Sequence, residues 1–212
     1  MKDYVRQNMS TYNLLAEHYN SNAKMVEGSI AKIIDSFMAY CPQHAVILEL
    51  GCGAGVATKA LLDKGSAVYV VDFSEKMIAA ARQRAPEAIY FCEDILSWRP
   101  DDNMEFDGAF LSAFVHLFCK DDAIAILKKI VTKLKPSGCI YIDTTLNGNT
   151  AYSEKIEPVL YHPSAAPRLR ARHTEESFKQ LIEAADLSIA KEWRSVGYDG
   201  KSEWIDVIAI LR

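Results

Sequence analysis

The chain has 212 residues, of which 50% are hydrophobic and 25% are charged, a composition that excludes disorder as its main state. Its 24 basic and 28 acidic residues give a net charge of −4, so it lacks the basic excess typical of nucleic-acid-binding proteins. No apolar run approaches the roughly 20 residues of a membrane helix, and the first ten residues carry no apolar signal region. We therefore expect a soluble cytoplasmic protein that binds neither nucleic acid nor membrane.

The cysteines point to the same compartment. Their number is odd, they are scattered, and no two of them are spaced as Cys-x-x-Cys. This pattern favours free thiols in a reducing environment over a disulfide framework or a zinc site, so we expect no bound metal. The thiols belong to Cys41, Cys52, Cys92, Cys119 and Cys139.

Predicted helices and strands alternate along the chain. Apolar residues at helical spacing predict a first helix over residues 26–40. Short apolar runs that end at turn residues predict seven strands, at residues 45–50, 67–71, 89–92, 106–111, 139–145, 187–193 and 204–211. Further helices are predicted over residues 56–62, 75–84 after an N-cap at Ser74, from Asp121 or Asp122 to 134, and from Thr174 to 184.

This alternation predicts a mainly parallel α/β sheet. Strands joined through helices form right-handed crossovers, which place helices on both faces of the sheet. Only the last two strands are close enough in sequence to form an antiparallel hairpin. In such sheets ligands bind at the carboxyl ends of the strands. We therefore expect the functional residues just after positions 50, 71, 92, 111 and 144.

A glycine-rich loop, Glu49-Leu50-Gly51-Cys52-Gly53-Ala54-Gly55, follows the first strand and opens a helix. Its glycines allow backbone N–H groups to approach a ligand closely. Asp72 ends the second strand, where a carboxylate can accept hydrogen bonds from a ribose diol. Val56 stands where a dinucleotide fingerprint needs Gly or Ala, and no Tyr-x-x-x-Lys relay is present, so a nicotinamide-dependent oxidoreductase is the disfavoured alternative.

These segments resemble the class I S-adenosylmethionine-dependent methyltransferases of the small-molecule type. The resemblance spans residues 12–145 and joins, in order, the glycine loop, Val71-Asp72-Phe73-Ser74, Cys92-Glu93-Asp94-Ile95, Phe106-Asp107-Gly108-Ala109 and Leu134-Lys135-Pro136-Ser137-Gly138. It implies a three-layer Rossmann-like sandwich whose seven-stranded sheet has the order 3-2-1-4-5-7-6, with the last strand antiparallel. It also implies an enzyme, monomeric or homodimeric, that uses S-adenosyl-L-methionine as its cofactor.

The resemblance implies cofactor-binding positions in the leading helix and along the strand-end loops. They are Tyr19, Glu49, Gly51, Gly53, Gly55, Asp72, Phe73, Met77, Asp94, Ile95 and Ser112. Asp72 would hold the ribose hydroxyls, Asp94 would accept from the adenine amino group, and Tyr19 would close over the cofactor. Two of these residues have structural alternatives, because Asp94 could cap a turn and Met77 could be plain core.

Residues 146–173 form a connection far longer than the usual two to eight residues. We expect it to be a lid or substrate-binding insertion, in a domain of residues 43–212 that is preceded by an N-terminal helical cap of residues 1–42. An extended segment would place its three arginines on one side. The expected acceptor-binding residues are Tyr12, Tyr161, Arg168, Arg170 and Arg172.

The arginines determine the expected acceptor. Guanidinium groups bind carboxylates and phosphates, so a small organic acceptor would be anionic if they line the site, whereas the alternative is a solvated basic edge. His116, after the fourth strand, is the candidate catalytic base, although a buried structural histidine is the alternative. The competing function is a non-catalytic protein of this fold that binds a partner protein.

Overall fold

The computed structural model describes residues 1–164, 166–197 and 199–212. The chain opens with two helices, α1 (Asp3–Ser21) and α2 (Ala23–Met38). The next elements alternate as β1 (Val46–Leu50), α3 (Val56–Asp63), β2 (Ala67–Asp72), α4 (Glu75–Arg84), β3 (Ile89–Cys92), β4 (Phe106–Leu111), α5 (Lys120–Val131) and β5 (Leu134–Thr145). The remaining elements are β6 (Ser153–Pro158), β7 (Pro167–Arg172), α6 (Glu175–Glu183), β8 (Leu187–Val196) and β9 (Glu203–Leu211).

The main sheet has seven strands in the order β3-β2-β1-β4-β5-β9-β8. The five strands from β1 to β5 pair in parallel, whereas β9 runs antiparallel to both β5 and β8. This topology confirms the predicted α/β sheet, with its last strand between the fifth and the sixth. The two further strands, β6 and β7, form a separate hairpin within the long connection.

The sheet is buried between two helical layers, as the apolar runs predict. Successive residues of a strand point to opposite faces, so Ile47 and Leu48 of β1 contribute to different halves of the core. One half contains Ile34 and Phe37 of α2 beside Ile47, and the other contains Ile126 and Ile130 of α5 beside Leu48. The three-layer sandwich follows directly from this alternation.

Two predicted helix N-caps are confirmed and one is wrong. Ser74 Oγ accepts a hydrogen bond from the Met77 N–H, and Thr174 Oγ1 accepts one from the Ser177 N–H, both at 3.1 Å. The N-cap of α5 is Cys119 rather than Asp121 or Asp122. The two aspartates lie in the first turn instead, where negative charge is favourable.

Other predicted helix bounds differ from the observed ones. The first core helix was predicted over residues 26–40, whereas α2 begins at Ala23 and ends at Met38. Helix α5 ends at Val131, three residues before the predicted end, because β5 already begins at Leu134. In the described part of the chain, no helix is both long and apolar enough to cross a bilayer.

Helix α1 and the β6–β7 hairpin form one layer outside the sheet. The Thr11 hydroxyl donates to the Pro167 carbonyl at 2.6 Å, and the Leu169 N–H donates to Asn8 Oδ1 at 2.8 Å. Asn8 also donates to the Leu117 carbonyl at 3.0 Å, which ties this layer to the turn after β4. The layer therefore lies next to the strand-end loops, where the sequence predicts the functional residues.

Candidate active site

A cavity of about 940 Å³ lies at the carboxyl ends of the strands. Its walls come from the glycine loop, the ends of β2 and β5, the turn after β4, helices α1 and α2, and the β6–β7 hairpin. Small-molecule sites commonly measure about 300–1,000 Å³, so this cavity is at the upper end of that range. It is large enough to hold a cofactor together with a small acceptor.

The glycine loop forms one wall of the cavity. Gly51, Gly53 and Gly55 all have positive φ angles, of +76°, +50° and +79°. A Cβ at Gly51 would lie 2.8 Å from the Phe114 ring, and one at Gly55 would lie 2.7 Å from Ala81 Cα. These two positions therefore need glycine for close packing.

The surface above Gly53 is open. The nearest atom to a Cβ placed there is Cδ1 of Tyr19, at 4.0 Å. Because Gly53 and Tyr19 both line the cavity, a ligand that contacts the loop backbone at Gly53 would lie beneath the Tyr19 ring. The resemblance predicts that Tyr19 closes over the cofactor at this position.

Asp72 braces the glycine loop from the end of β2. Its Oδ2 accepts the Cys52 N–H at 3.0 Å, and its Oδ1 accepts the Ser74 N–H at 2.8 Å. Burial raises the pKa of the Asp72 carboxyl to about 6, against the opposing effect of these hydrogen bonds. Oδ1 retains a lone pair with which it can accept a ligand hydroxyl, and Oδ2 also accepts the Cys52 thiol at 3.6 Å, a weak contact that a ligand hydroxyl can replace.

Glu49 is a buried carboxyl with an unsatisfied oxygen in the cavity wall. Its Oε2 has no hydrogen-bond partner among the described residues. Burial, together with the nearby charge of Asp72, raises the pKa of Glu49 to about 8. An unpartnered buried oxygen is costly, so this position suits a ligand that brings a donor or a positive charge.

The structure brings most of the expected cofactor residues together and leaves two outside the cavity wall. The residues in the wall are Tyr19, Glu49, Gly51, Gly53, Asp72, Phe73, Met77, Ile95 and Ser112. Gly55 packs beneath α4 instead. Asp94 caps the turn after β3, where its Oδ1 accepts the Leu96 N–H at 3.0 Å, and the neighbouring Glu93 lines the cavity.

Three arginines of β7 line the opposite wall. Arg168, Arg170 and Arg172 alternate with the buried Leu169 and Ala171, as expected for an extended segment. Arg172 pairs with Glu157 of β6 at 2.6 Å. In the described parts of the chain, Arg168 and Arg170 form no ion pair. The cavity therefore contains positive charge without a carboxylate partner.

Arg168 is the more deeply buried of the two, with only 5% of its surface exposed. Its guanidinium donates to the Tyr12 hydroxyl at 2.6 Å and lies within 6 Å of the Tyr12 and Tyr161 ring centres. Its Nε has no partner in the described chain. Arg170 donates to Thr145 Oγ1 at 2.6 Å. Both of the expected acceptor-binding tyrosines thus surround the same cation.

His116 is buried and lines the cavity between these walls. Its Nδ1 lies 3.3 Å from Thr144 Oγ1. Burial, followed by the charges of Arg170 and Arg168, holds the pKa of His116 well below its usual value. The imidazole is therefore neutral at physiological pH, with a nitrogen lone pair that can accept a proton or a hydrogen bond.

Two buried aspartates in the cavity wall were not identified from the sequence. Asp143 of β5 accepts hydrogen bonds from the Ala113 N–H and the Ser112 hydroxyl of the turn after β4. Asp206 of β9 accepts one from the Ser195 hydroxyl at 2.6 Å. Each aspartate interrupts an otherwise apolar strand, and this is the signal that could have identified them.

The sequence is similar to known methyltransferases. A family model described as a methyltransferase domain matches residues 47–138. The trans-aconitate 2-methyltransferase of Variovorax paradoxus (strain S110) is 32% identical over 103 residues, which cover 48% of this chain and 39% of that protein. The malonyl-[acyl-carrier protein] O-methyltransferase of Acetivibrio thermocellus is 28% identical over 143 residues, which cover 66% of this chain and 48% of that protein. The chain thus spans less than half the length of either relative.

Solved structures share the fold. The 1,6-didemethyltoxoflavin-N1-methyltransferase of Burkholderia thailandensis, solved with 1,6-didemethyltoxoflavin and S-adenosylhomocysteine, has a TM-score of 0.78 at 20% identity, over 98% of this chain and 88% of that one. An S-adenosylmethionine-dependent methyltransferase from Clostridium acetobutylicum has a TM-score of 0.68 at 17% identity, over 95% of this chain and 99% of that one. The domain match over residues 47–138 and the shared fold confirm the resemblance to the class I S-adenosylmethionine-dependent methyltransferases that is seen in the sequence.

Proposed function

We propose that this protein transfers a methyl group from S-adenosyl-L-methionine to a small organic acceptor that carries a carboxylate or another anionic group. The observation that carries the proposal is one cavity with two complementary walls. The glycine loop, Asp72 and Glu49 form the first wall, and Arg168 and Arg170 form the second. Each wall offers what a different ligand needs.

The first wall fits the cofactor. The open space above Gly53 admits a ligand against the loop backbone, and Asp72 can accept the hydroxyls of a ribose diol at Oδ1 and, in place of the Cys52 thiol, at Oδ2. The unpartnered Glu49 Oε2 suits the positively charged methionine end. S-adenosylhomocysteine or S-adenosylmethionine is bound in several solved structures with this fold, which supports the same cofactor here.

The second wall fits the acceptor. A buried guanidinium without a counter-charge is unfavourable unless a bound anion compensates it. Arg168 and Arg170 would therefore bind the anionic group, and Tyr12 and Tyr161 would flank it. Trans-aconitate and the malonyl group both carry carboxylates, and the relatives named for them support an anionic acceptor.

The cofactor supplies an electrophilic sulfonium methyl group when it is bound. The chain's own contribution is to hold the acceptor in line and to exclude water. A carboxylate nucleophile carries no proton to remove, whereas a hydroxyl nucleophile does. His116 is the candidate base for the second case, because an anion bound at Arg168 and Arg170 would weaken the positive field that opposes its protonation.

The cover of the cavity comprises the helical cap of residues 1–42 and the insertion of residues 146–173. The Tyr19 and Tyr161 hydroxyls join the two segments, and the His18 ring packs on Tyr161 with ring centres 5.5 Å apart. A methyl-transfer site needs a dry interior, and this contact provides a closure that can open for exchange of ligands.

Calorimetry followed by a turnover assay tests the proposal. S-adenosylhomocysteine should bind to the protein, whereas NAD should not. A panel of small carboxylic acids, phosphates and amines, incubated with S-adenosylmethionine, should then yield S-adenosylhomocysteine with one of the anionic compounds. Cofactor binding without turnover on any compound would favour the non-catalytic alternative, and binding of NAD alone would refute the proposal.

A further inference from the structure

Asp143 and Asp206 face each other across the antiparallel pair of β5 and β9. Both are buried, with 4% and 1% of their surface exposed. Two negative charges directly opposite each other in a buried sheet are strongly unfavourable. The pair is therefore stable only if one of the two carboxylates is neutralised.

The hydroxyl of Tyr141 lies between the two carboxyls. Its oxygen is 2.8 Å from Asp143 Oδ2 and 2.6 Å from Asp206 Oδ1. A phenol has one proton and can donate it to only one of these oxygens. The other short contact is a hydrogen bond only if that carboxyl is protonated and donates to the phenol oxygen. The geometry thus requires one additional proton in the cluster.

The hydrogen bonds around each carboxyl determine where that proton resides. Asp143 accepts from the Ala113 N–H and the Ser112 hydroxyl, whereas among the described residues Asp206 accepts only from the Ser195 hydroxyl, apart from the shared phenol. Donors stabilise the ionised form of a carboxyl, so the better-supported Asp143 keeps the charge. The turn after β4 and strand β8 contribute only neutral groups to the pair, and Tyr141 is its third titratable member.

Burial supports the presence of a shared proton. It raises the pKa of Asp143, and a negative charge on Asp206 would raise it further, so Asp143 ionises readily only while Asp206 is protonated. Burial also raises the pKa of Asp206. Raised pKa values in both carboxyls favour retention of the additional proton that the Tyr141 contacts require.

The charge on Asp143 has a structural effect at the glycine loop. Ala113 has a φ angle of +53°, a left-handed conformation that is unfavourable for a residue with a Cβ. Its N–H is held by Asp143, and the following Phe114 ring packs against Gly51. Asp143 therefore fixes the turn that supports the glycine loop.

We propose that Asp206 is protonated and donates a hydrogen bond to the Tyr141 oxygen. Tyr141 then donates a hydrogen bond to an ionised Asp143, and Asp143 positions the Ser112–Ala113 turn for cofactor binding. Asp143 is a positioning residue in this scheme, and the ionised state of Asp143 depends on the neutral state of Asp206. The role in cofactor binding rests on the proposed function, whereas the location of the proton is independent of that function.

Carbon-13 NMR of aspartate carboxyls locates the proton directly. In protein labelled at this carbon, one buried carboxyl should remain protonated at pH 7, and its resonance should be missing from Asp206→Asn. The proposal is overturned if that resonance is missing from Asp143→Asn instead, or if no buried carboxyl is protonated. This measurement needs no cofactor, so it stands even if the protein does not bind S-adenosylhomocysteine.

Calorimetry with S-adenosylhomocysteine tests the positioning role. The Asn amide mimics a protonated carboxyl, so Asp206→Asn should bind within twofold of the wild type. Asp206→Ala removes the donor to Tyr141, and Asp143→Asn replaces the anion at the turn, so each should weaken binding at least fivefold. Equal binding by wild type and Asp143→Asn would overturn the role. If Asp143→Asn does not fold, Ser112→Ala replaces it, because this variant removes one hydrogen-bond donor to Asp143. Unchanged binding by Ser112→Ala, together with weakened binding by Asp206→Asn, would also overturn the positioning role.

Absence of binding by the wild-type protein would refute the proposed function and, with it, the positioning role. It would leave the NMR result to decide the location of the proton. Asp107→Asn is the control, because Asp107 is also a buried strand carboxylate but lies at the opposite end of β4, where it accepts the Val46 N–H and pairs with Lys135.

Discussion

Tyr19 and Tyr161 are 142 positions apart in the chain, and their hydroxyl oxygens are 3.0 Å apart. One lies on helix α1 and the other lies in the connection between β6 and β7. Their hydrogen bond joins the two segments that do not belong to the sheet. The bonds of Thr11 and Asn8 hold α1 to the hairpin at other positions, so this bond between two hydroxyl groups can break while the rest of the layer stays in place.

Changes at Tyr19 should separate closure of the cover from contact with the cofactor. Tyr19→Phe removes the bond to Tyr161 but keeps a ring above Gly53. We therefore expect faster proteolysis of residues 146–173, and an affinity for S-adenosylhomocysteine within about threefold of the wild type. Tyr19→Ala also removes the ring and should weaken binding by at least tenfold. Limited proteolysis with and without ligand, together with calorimetry, measures both effects. Equal proteolysis of wild type and Tyr19→Phe would rule out this closure.

Asp72→Ala should weaken S-adenosylhomocysteine binding about thirty- to a thousandfold, because two hydrogen bonds to a charged carboxylate are lost. The variant also leaves the Cys52 and Ser74 N–H groups without their acceptor, so its folding must be verified by circular dichroism. Asp107→Ala provides a comparison at the other end of the sheet and should bind normally. Normal binding by a folded Asp72→Ala would contradict the ribose assignment.

Arg168→Gln should weaken binding of the anionic acceptor by about ten- to a hundredfold, since one charge-assisted hydrogen bond contributes roughly 1.5–3 kcal/mol. Cofactor affinity should change little, because Arg168 lies in the other wall. Arg194→Gln is the control, because Arg194 pairs with Glu175 on the surface. The measurement is acceptor KM from the turnover panel. A lower kcat with an unchanged KM would place Arg168 outside the acceptor site.

Glu49 gives a pH dependence of stability with a defined sign. Its pKa of about 8 in the folded state is above the value of about 4.3 of an unfolded chain, so the native state binds the additional proton between these values. The free energy of unfolding therefore falls as pH rises from about 4 to 8. Glu49→Gln removes this titration and should stabilise the protein at pH 9, by up to about 5 kcal/mol.

The corresponding measurement is a thermal melt of both proteins at pH 5 and pH 9. At pH 5 the wild-type Glu49 is protonated, and the two melting temperatures should be similar. A gain that is equal at both pH values would show that the substitution acts through packing and not through the buried charge.

The part of the site that depends on local sequence could be predicted. The glycine loop and Asp72 follow directly from the ends of two apolar strands, and parallel pairing brings those ends together whatever the rest of the chain does. The face of β7 that carries the arginines also follows from strict alternation in an extended segment. Asp94 shows the limit of this reasoning, because a strand-end aspartate can cap its own turn equally well.

The part that depends on distant pairing could not be predicted. Asp143 and Asp206 meet because β5 and β9 adopt one particular register, and a shift by one residue would turn one aspartate to the other face. The β6–β7 hairpin was expected only as an extended segment, because β6 is polar and lacks a clear apolar period. Its stability comes from its contacts with α1, which lies far away in the sequence.

The position of β9 has a consequence for how the protein is made. This strand is formed by residues 203–211, yet it fills the slot between β5 and β8. During synthesis, one edge of β5 therefore stays exposed until residues 203–211 have left the ribosome, and an exposed strand edge can pair with other chains. A stop codon near residue 200 would remove an interior strand and not a dispensable tail, so we expect truncated chains to accumulate as aggregates.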